Sequence, residues 1–93
     1  MSDIIRDVLI ETKSIIDTPD KWGKFDGEGL NGKMCLYLAV YDACYAHSGS
    51  VMDTISALGF NKLHEVDKFN DHPDTSYEDV INLIDDTISE CRE

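Results

Sequence analysis

The 93 residues are the size of one small domain, and 42% hydrophobic residues are enough to form a core. Nineteen Asp and Glu against eight Lys and Arg leave a formal charge of -11, which repels phosphate backbones and argues against direct nucleic-acid binding. A domain this short buries only about 60–65% of its unfolded surface, which disfavours a large catalytic cleft.

No stretch approaches the roughly 18–20 apolar residues that a membrane span needs, and the N-terminus lacks the basic-then-apolar order of a signal segment. Three irregularly spaced cysteines fit reduced thiols better than a disulfide framework. The expectation is a cytoplasmic protein with no membrane partner.

In residues 3–17, Ile5, Val8, Leu9, Thr12, Ile15 and Ile16 recur on one face at the helical period, with Asp3, Asp7, Lys13 and Ser14 opposite. This pattern predicts an amphipathic helix capped by Ser2 and stopped near Asp17, Thr18 and Pro19. Residues 18–33 hold Gly23, Gly27, Gly29 and Gly32 with Trp22 and Phe25, a long glycine-rich loop in which Trp22 is expected to close over the core.

From Met34 to His47 the only formally charged residue is Asp42, and Leu36, Ala39, Val40, Ala43 and Cys44 form one stripe, as in a central helix. Tyr37, Tyr41 and Tyr45 repeat every four residues on a second face. They either pack on the loop and a neighbouring helix or form an exposed aromatic contact surface. Ser48 or Ser50 caps a short helix carrying Val51, Met52, Ile55 and Leu58, and Gly59 ends it.

Residues 60–75 place Leu63, Val66 and Phe69 three apart, as in a turn or two of helix. The last helix opens with a capping box, Thr75 with Glu78 or Ser76 with Asp79, and aligns Val80, Leu83, Ile84, Thr87, Ile88 and Cys91. Nothing reads as a strand. The predicted fold is all-α: a small single-domain bundle of about four helices with a glycine-rich loop after the first.

Most of the chemistry suggested by local motifs fails on inspection. Gly27, Gly32 and Lys33 have the spacing of a phosphate-binding loop, but Met34 replaces the magnesium-binding hydroxyl, no apolar strand precedes, and Asp26 and Glu28 repel phosphate. Cys44 and His47 share a helical turn, yet no paired metal motif joins them to Cys35, Cys91, His64 or His72, so buried thiols and surface imidazoles are expected. Asp67, Asp71 and Glu78 echo a calcium loop in which Phe69 and His72 occupy a ligand and the glycine position. No Ser or Cys has a local base and orienting acid. The chain is therefore expected to be non-enzymatic and to use no cofactor.

Charge is the informative feature. Residues 1–64 hold nine acids and six bases, whereas residues 65–93 hold ten acids and two bases, a net of -8. On the last helix Asp79, Asp86 and Glu90 run along one flank and Glu78 and Asp85 along another, with Glu65, Asp67, Asp71 and Asp74 preceding them. Such an array either serves solubility or attracts the basic cleft of a protein partner, as a nucleic-acid mimic does.

The order of features resembles a family of short bacterial and phage proteins known only as a domain of unknown function, over residues 20–90. The resemblance rests on Trp22, Cys35 with Ala39 and Ala43, Leu58-Gly59, the run Phe69-Asn70-Asp71-His72-Pro73, and Ser76 with Asp79 and Val80. Phe69 stands where the family usually has Trp, and Thr75-Ser76 where it has Arg-Thr. The resemblance implies a small helical domain and no known activity. Asn70 and Asp71 are expected to bond nearby backbone amides at a turn, with recognition as the alternative. The functional expectation is an acidic interaction protein that binds a basic site on a protein, of the kind a phage inhibitor would be. The alternative is a small regulatory domain that forms a homodimer through the tyrosine face.

Overall fold

In the computed structural model, which describes residues 3–23 and 33–91, the packing of five helices follows from where each carries its apolar stripe. Helix α1 (Asp3–Ile15) buries Val8, Leu9 and Thr12, and Ile16 is buried just past its end. The Thr12 hydroxyl donates to the Val8 carbonyl at 2.7 Å, which satisfies its polar atom inside the core. Its expected Ser2 cap lies outside the described residues. Pro19 then opens a single 3-10 turn, Pro19–Lys21.

The two ends of the glycine-rich segment meet in an isolated parallel bridge between Trp22 and Met34. Gly23 N–H donates to Met34 O at 3.1 Å and Met34 N–H to Lys21 O at 2.9 Å. Phe25, Gly27, Gly29 and Gly32, the body of the predicted loop, lie outside the described residues. This bridge also moves the start of the central helix: α2 spans Leu36–His47 rather than beginning at Met34, whose peptide groups are used in pairing.

Helix α2 buries Leu36, Ala39, Val40, Ala43 and Cys44 and packs chiefly on α1. Its end is a tight turn. Ser48 takes a left-handed conformation with φ 55°, and Gly49 N–H bonds the Cys44 carbonyl at 2.8 Å. Ser50, not Ser48, caps α3 (Val51–Ala57), accepting from Asp53 N–H at 3.1 Å. Gly59, at φ 101°, ends α3, and Phe60 N–H reaches back to the Ile55 carbonyl at 2.9 Å.

The turn or two of helix expected near Leu63 extends to nine residues as α4 (Leu63–Asp71). Helix α5 (Tyr77–Glu90) opens with the Ser76–Asp79 capping box and lays Val80, Ile84 and Thr87 against α1. The radius of gyration is 12.0 Å, and a compact domain of this length is expected near 12 Å.

Asn70, wholly buried on α4, joins these pieces. Its Oδ1 accepts from Trp22 Nε1–H at 2.6 Å and from Leu36 N–H at 3.0 Å. Its Nδ2 donates to Gly23 O at 3.1 Å and to Asp71 Oδ1 at 3.0 Å. The full capacity of the carboxamide is used. Its bonds therefore reach across the fold instead of to the nearby amides expected from the sequence.

Two outcomes test this account. Asn70→Leu strands the Trp22 and Leu36 donors and the Gly23 carbonyl, and is expected to cost about 3 kcal/mol or more. Urea unfolding followed through Trp22, the single tryptophan, measures it. Gly49 lies so close to α1 that a Cβ there would sit 2.7 Å from Val8 Cγ2, so Gly49→Ala is expected to lower stability by about 1–3 kcal/mol in the same titration.

Candidate functional site

On α5 the residues away from the apolar stripe are Glu78, Asp79, Asn82, Asp86, Ser89 and Glu90, all exposed. Not all of the predicted carboxylates are equally available. Asp79 Oδ2 accepts from Ser76 N–H at 2.9 Å and is committed to the cap. Asp85, expected on a solvent-facing row, is half-buried and paired with Lys13 of α1 at 2.8 Å. The helix rotates this flank towards α1 because Ile84 and Ile88 pack inward beside it. Glu78, Asp86 and Glu90 remain open, Asp86 and Glu90 on one flank and Glu78 on the other.

The preceding acids divide in the same way. Glu65 accepts from Asn61 N–H at 2.8 Å, and Asp71 accepts from Asn70, so both are half-buried and structural. Asp67 and Asp74 are exposed. Helix α4 packs on α2 and α3, and α5 packs on α1, so the acids of α4 and α5 stand on helices with different packing partners.

The tyrosine row also divides. Tyr37 is half-buried and its ring lies 6.3 Å from that of Tyr41. Tyr41 is 52% and Tyr45 88% exposed. With Cys44, Ser48, Gly49 and Val51, these two rings line an open groove of about 390 Å³ between α2 and the start of α3.

Helix α2 ends in His47, whose imidazole meets Glu11 of α1 at 3.3 Å. Cys35, Cys44 and Cys91 are buried free thiols, as expected, and burial pushes the Cys35 and Cys44 thiols up, away from the reactive thiolate. Among the described residues no three His, Cys, Asp or Glu side chains are grouped to hold a metal ion. Asp67 and Asp71 sit one turn apart on a helix, which is not the geometry of a calcium loop. Lys33, the lysine of the rejected phosphate motif, donates to the Asp20 carbonyl at 3.2 Å. The glycines of that motif lie outside the described residues.

Residues 1–90 match the profile of DUF6197, a family of unknown function. The chain belongs to that family. No curated protein and no solved structure matches it. The DUF6197 chain thus has the helical fold that the resemblance implied, and no helix among the described residues is long and apolar enough to cross a membrane.

Trp22 is the residue whose role the sequence conveyed only in part. Its ring packs on the core and lies 6.2 Å from that of Tyr77, whose hydroxyl donates to the Ile16 carbonyl at 2.7 Å. Tyr77 was not singled out, since a tyrosine at a helix start carries no pattern of its own.

Asp67 supplies a pH test. Burial first, and then the charge of Asp71, lift its carboxyl above the ordinary range. The folded chain therefore holds that proton more tightly than the unfolded chain, so this group's contribution is lost as pH rises through the raised pKa and recovered as pH falls through it towards the ordinary carboxylate value. Asp67→Asn is expected to raise the urea midpoint slightly at pH 7, where this largely exposed carboxylate is charged, and to remove the group's share of the acid-side pH dependence.

Proposed function

We propose that this chain is a non-enzymatic interaction module whose acidic α5 face binds a basic site on a protein partner and occupies it in place of nucleic acid. The observation that carries this reading is that Glu78, Asp86 and Glu90 are exposed and, among the described residues, take no part in the side-chain hydrogen bonds or ion pairs of the fold, on a helix with no Lys or Arg of its own. Five carboxylates lie on this 14-residue helix. With Asp79 committed to the cap and Asp85 to Lys13, the three open carboxylates average about one charge per 7 Å at a rise of 1.5 Å per residue, roughly half the density along one nucleic-acid strand. A basic cleft that attracts phosphates is attracted to this helix by the same long-range field. Occupying the cleft would exclude its nucleic acid, which is the action of an inhibitor.

The test needs a variant that keeps the fold. Asp79 is unsuitable because it closes the capping box, and Asp85 because it pairs with Lys13. Asp86 and Glu90 lie in the second half of α5, where cations suit the helix dipole, so Asp86→Lys with Glu90→Lys is expected to retain helicity. Tagged wild-type chain is expected to capture a basic partner from lysate that moderate salt or added duplex DNA releases. The double variant is expected to bind that partner at least about tenfold more weakly at low salt. Equal affinity of the two chains, or a complex indifferent to salt and DNA, overturns the reading.

A further inference from the structure

We propose that the groove between α2 and α3 takes a segment of the basic partner in which an arginine stands beside an apolar side chain. The inference rests on the partner being basic and names the chemistry that would be read at close range. Three observations carry it.

The first is the exposure of the lining. Tyr45 is 88% and Tyr41 52% exposed, although neighbouring positions on the same helix are fully buried. Gly49, in the lining, lies close to Val8 and Ile4 of α1, and Ile4 is 47% exposed. Exposed aromatic side chains lining a groove form the kind of surface that protein interfaces cover.

The second is charge. Helices α2 and α3 contain no Lys or Arg, and their acids, Asp42 and Asp53, are both exposed. The one basic side chain on them, His47, already faces Glu11. An occupant without a cation would leave Asp42, one turn from Tyr45, without a counter-charge, and a second copy would add another formal charge of -11.

The third is register. Asp42 precedes Tyr45 by three residues on α2 and so lies beside it on the helix surface. A planar guanidinium stacked on the Tyr45 ring can donate to the Asp42 carboxylate at its edge. An apolar neighbour then reaches the floor formed by Cys44, Gly49 and Val51.

The test is a titration of the full, isotope-labelled chain, followed by NMR, with a capped Leu-Arg-Leu-Arg-Leu peptide. Peptides with Glu for Arg and with Ser for Leu serve as controls. The expected result is amide shifts at Tyr41, Cys44, Tyr45, Ser48, Gly49 and Val51 with the Leu-Arg peptide alone. Tyr45→Ala, at a nearly fully exposed position, is expected to leave the urea midpoint unchanged and to weaken this binding about tenfold. An equal response to the Ser-Arg peptide, or shifts confined to Glu78, Asp86 and Glu90 of α5, overturns the groove assignment while leaving the acidic-module reading in place. Concentration-dependent shifts at the tyrosines without peptide make the occupant a second copy and overturn it too. No shift anywhere with either cationic peptide at low salt removes both the groove assignment and the reading beneath it.

Discussion

Asn70 uses one carboxamide to hold backbone 34 and 47 residues away in the sequence, at Leu36 and Gly23. Helix α2 depends on it. Cys35, at the start of that helix, makes no side-chain capping bond, so an orphan N–H at the buried end of the most apolar helix is satisfied from α4. The same oxygen takes the indole N–H of Trp22, whose ring leans on Tyr77, and Tyr77 in turn bonds the end of α1. Helices α4 and α5 are thus tied through a short polar relay rather than by extensive packing on each other. Losing that carboxamide would leave several buried groups unpaired at once, which is why one polar residue outweighs a core methyl group here.

The acids divide between holding the fold and facing solvent. Asp79 closes a cap, Asp71 orients Asn70 and Glu65 caps the approach to α4. The Lys13–Asp85 pair is half exposed, and pairs of that kind contribute only about 0–1 kcal/mol. Glu78, Asp86 and Glu90 do none of this work. On a chain of formal charge -11 Asp86 and Glu90 add self-repulsion, whereas Glu78, in the first turn of α5, suits the helix dipole.

In the proposed encounter the open carboxylates of α5 and the tyrosine groove would act at different stages. Open carboxylates act over about a Debye length and raise the rate of approach. An aromatic groove acts at contact and discriminates by shape and by stacking. Neither requires movement of the core. The groove's floor includes Gly49, which cannot accept a side chain without pushing α1 away, so the recess and the α1–α2 packing are set by the same close approach.

Much of the fold was legible because its signals are local. The stripes of α1, α2 and α5, the Gly59 stop and the two candidate capping boxes all depend on spacings within four residues, and helix periodicity makes such spacings interpretable. Choices between neighbours were not legible: Leu36 over Met34 was settled by bonds to the distant Lys21, Gly23 and Asn70, while Ser50 over Ser48 and Ser76 over Thr75 turned on which hydroxyl met the backbone N–H three residues on. By itself the sequence determined an all-helical chain, its charge asymmetry and the burial of its thiols, because composition and periodicity act residue by residue. Only the tertiary structure decided that Asn70 is a long-range clasp, that Asp85 turns to Lys13, and that Tyr41 and Tyr45 flank a groove while Tyr37 does not. Those outcomes depend on which helix lies beside which, and that is fixed by contacts between residues far apart in the chain.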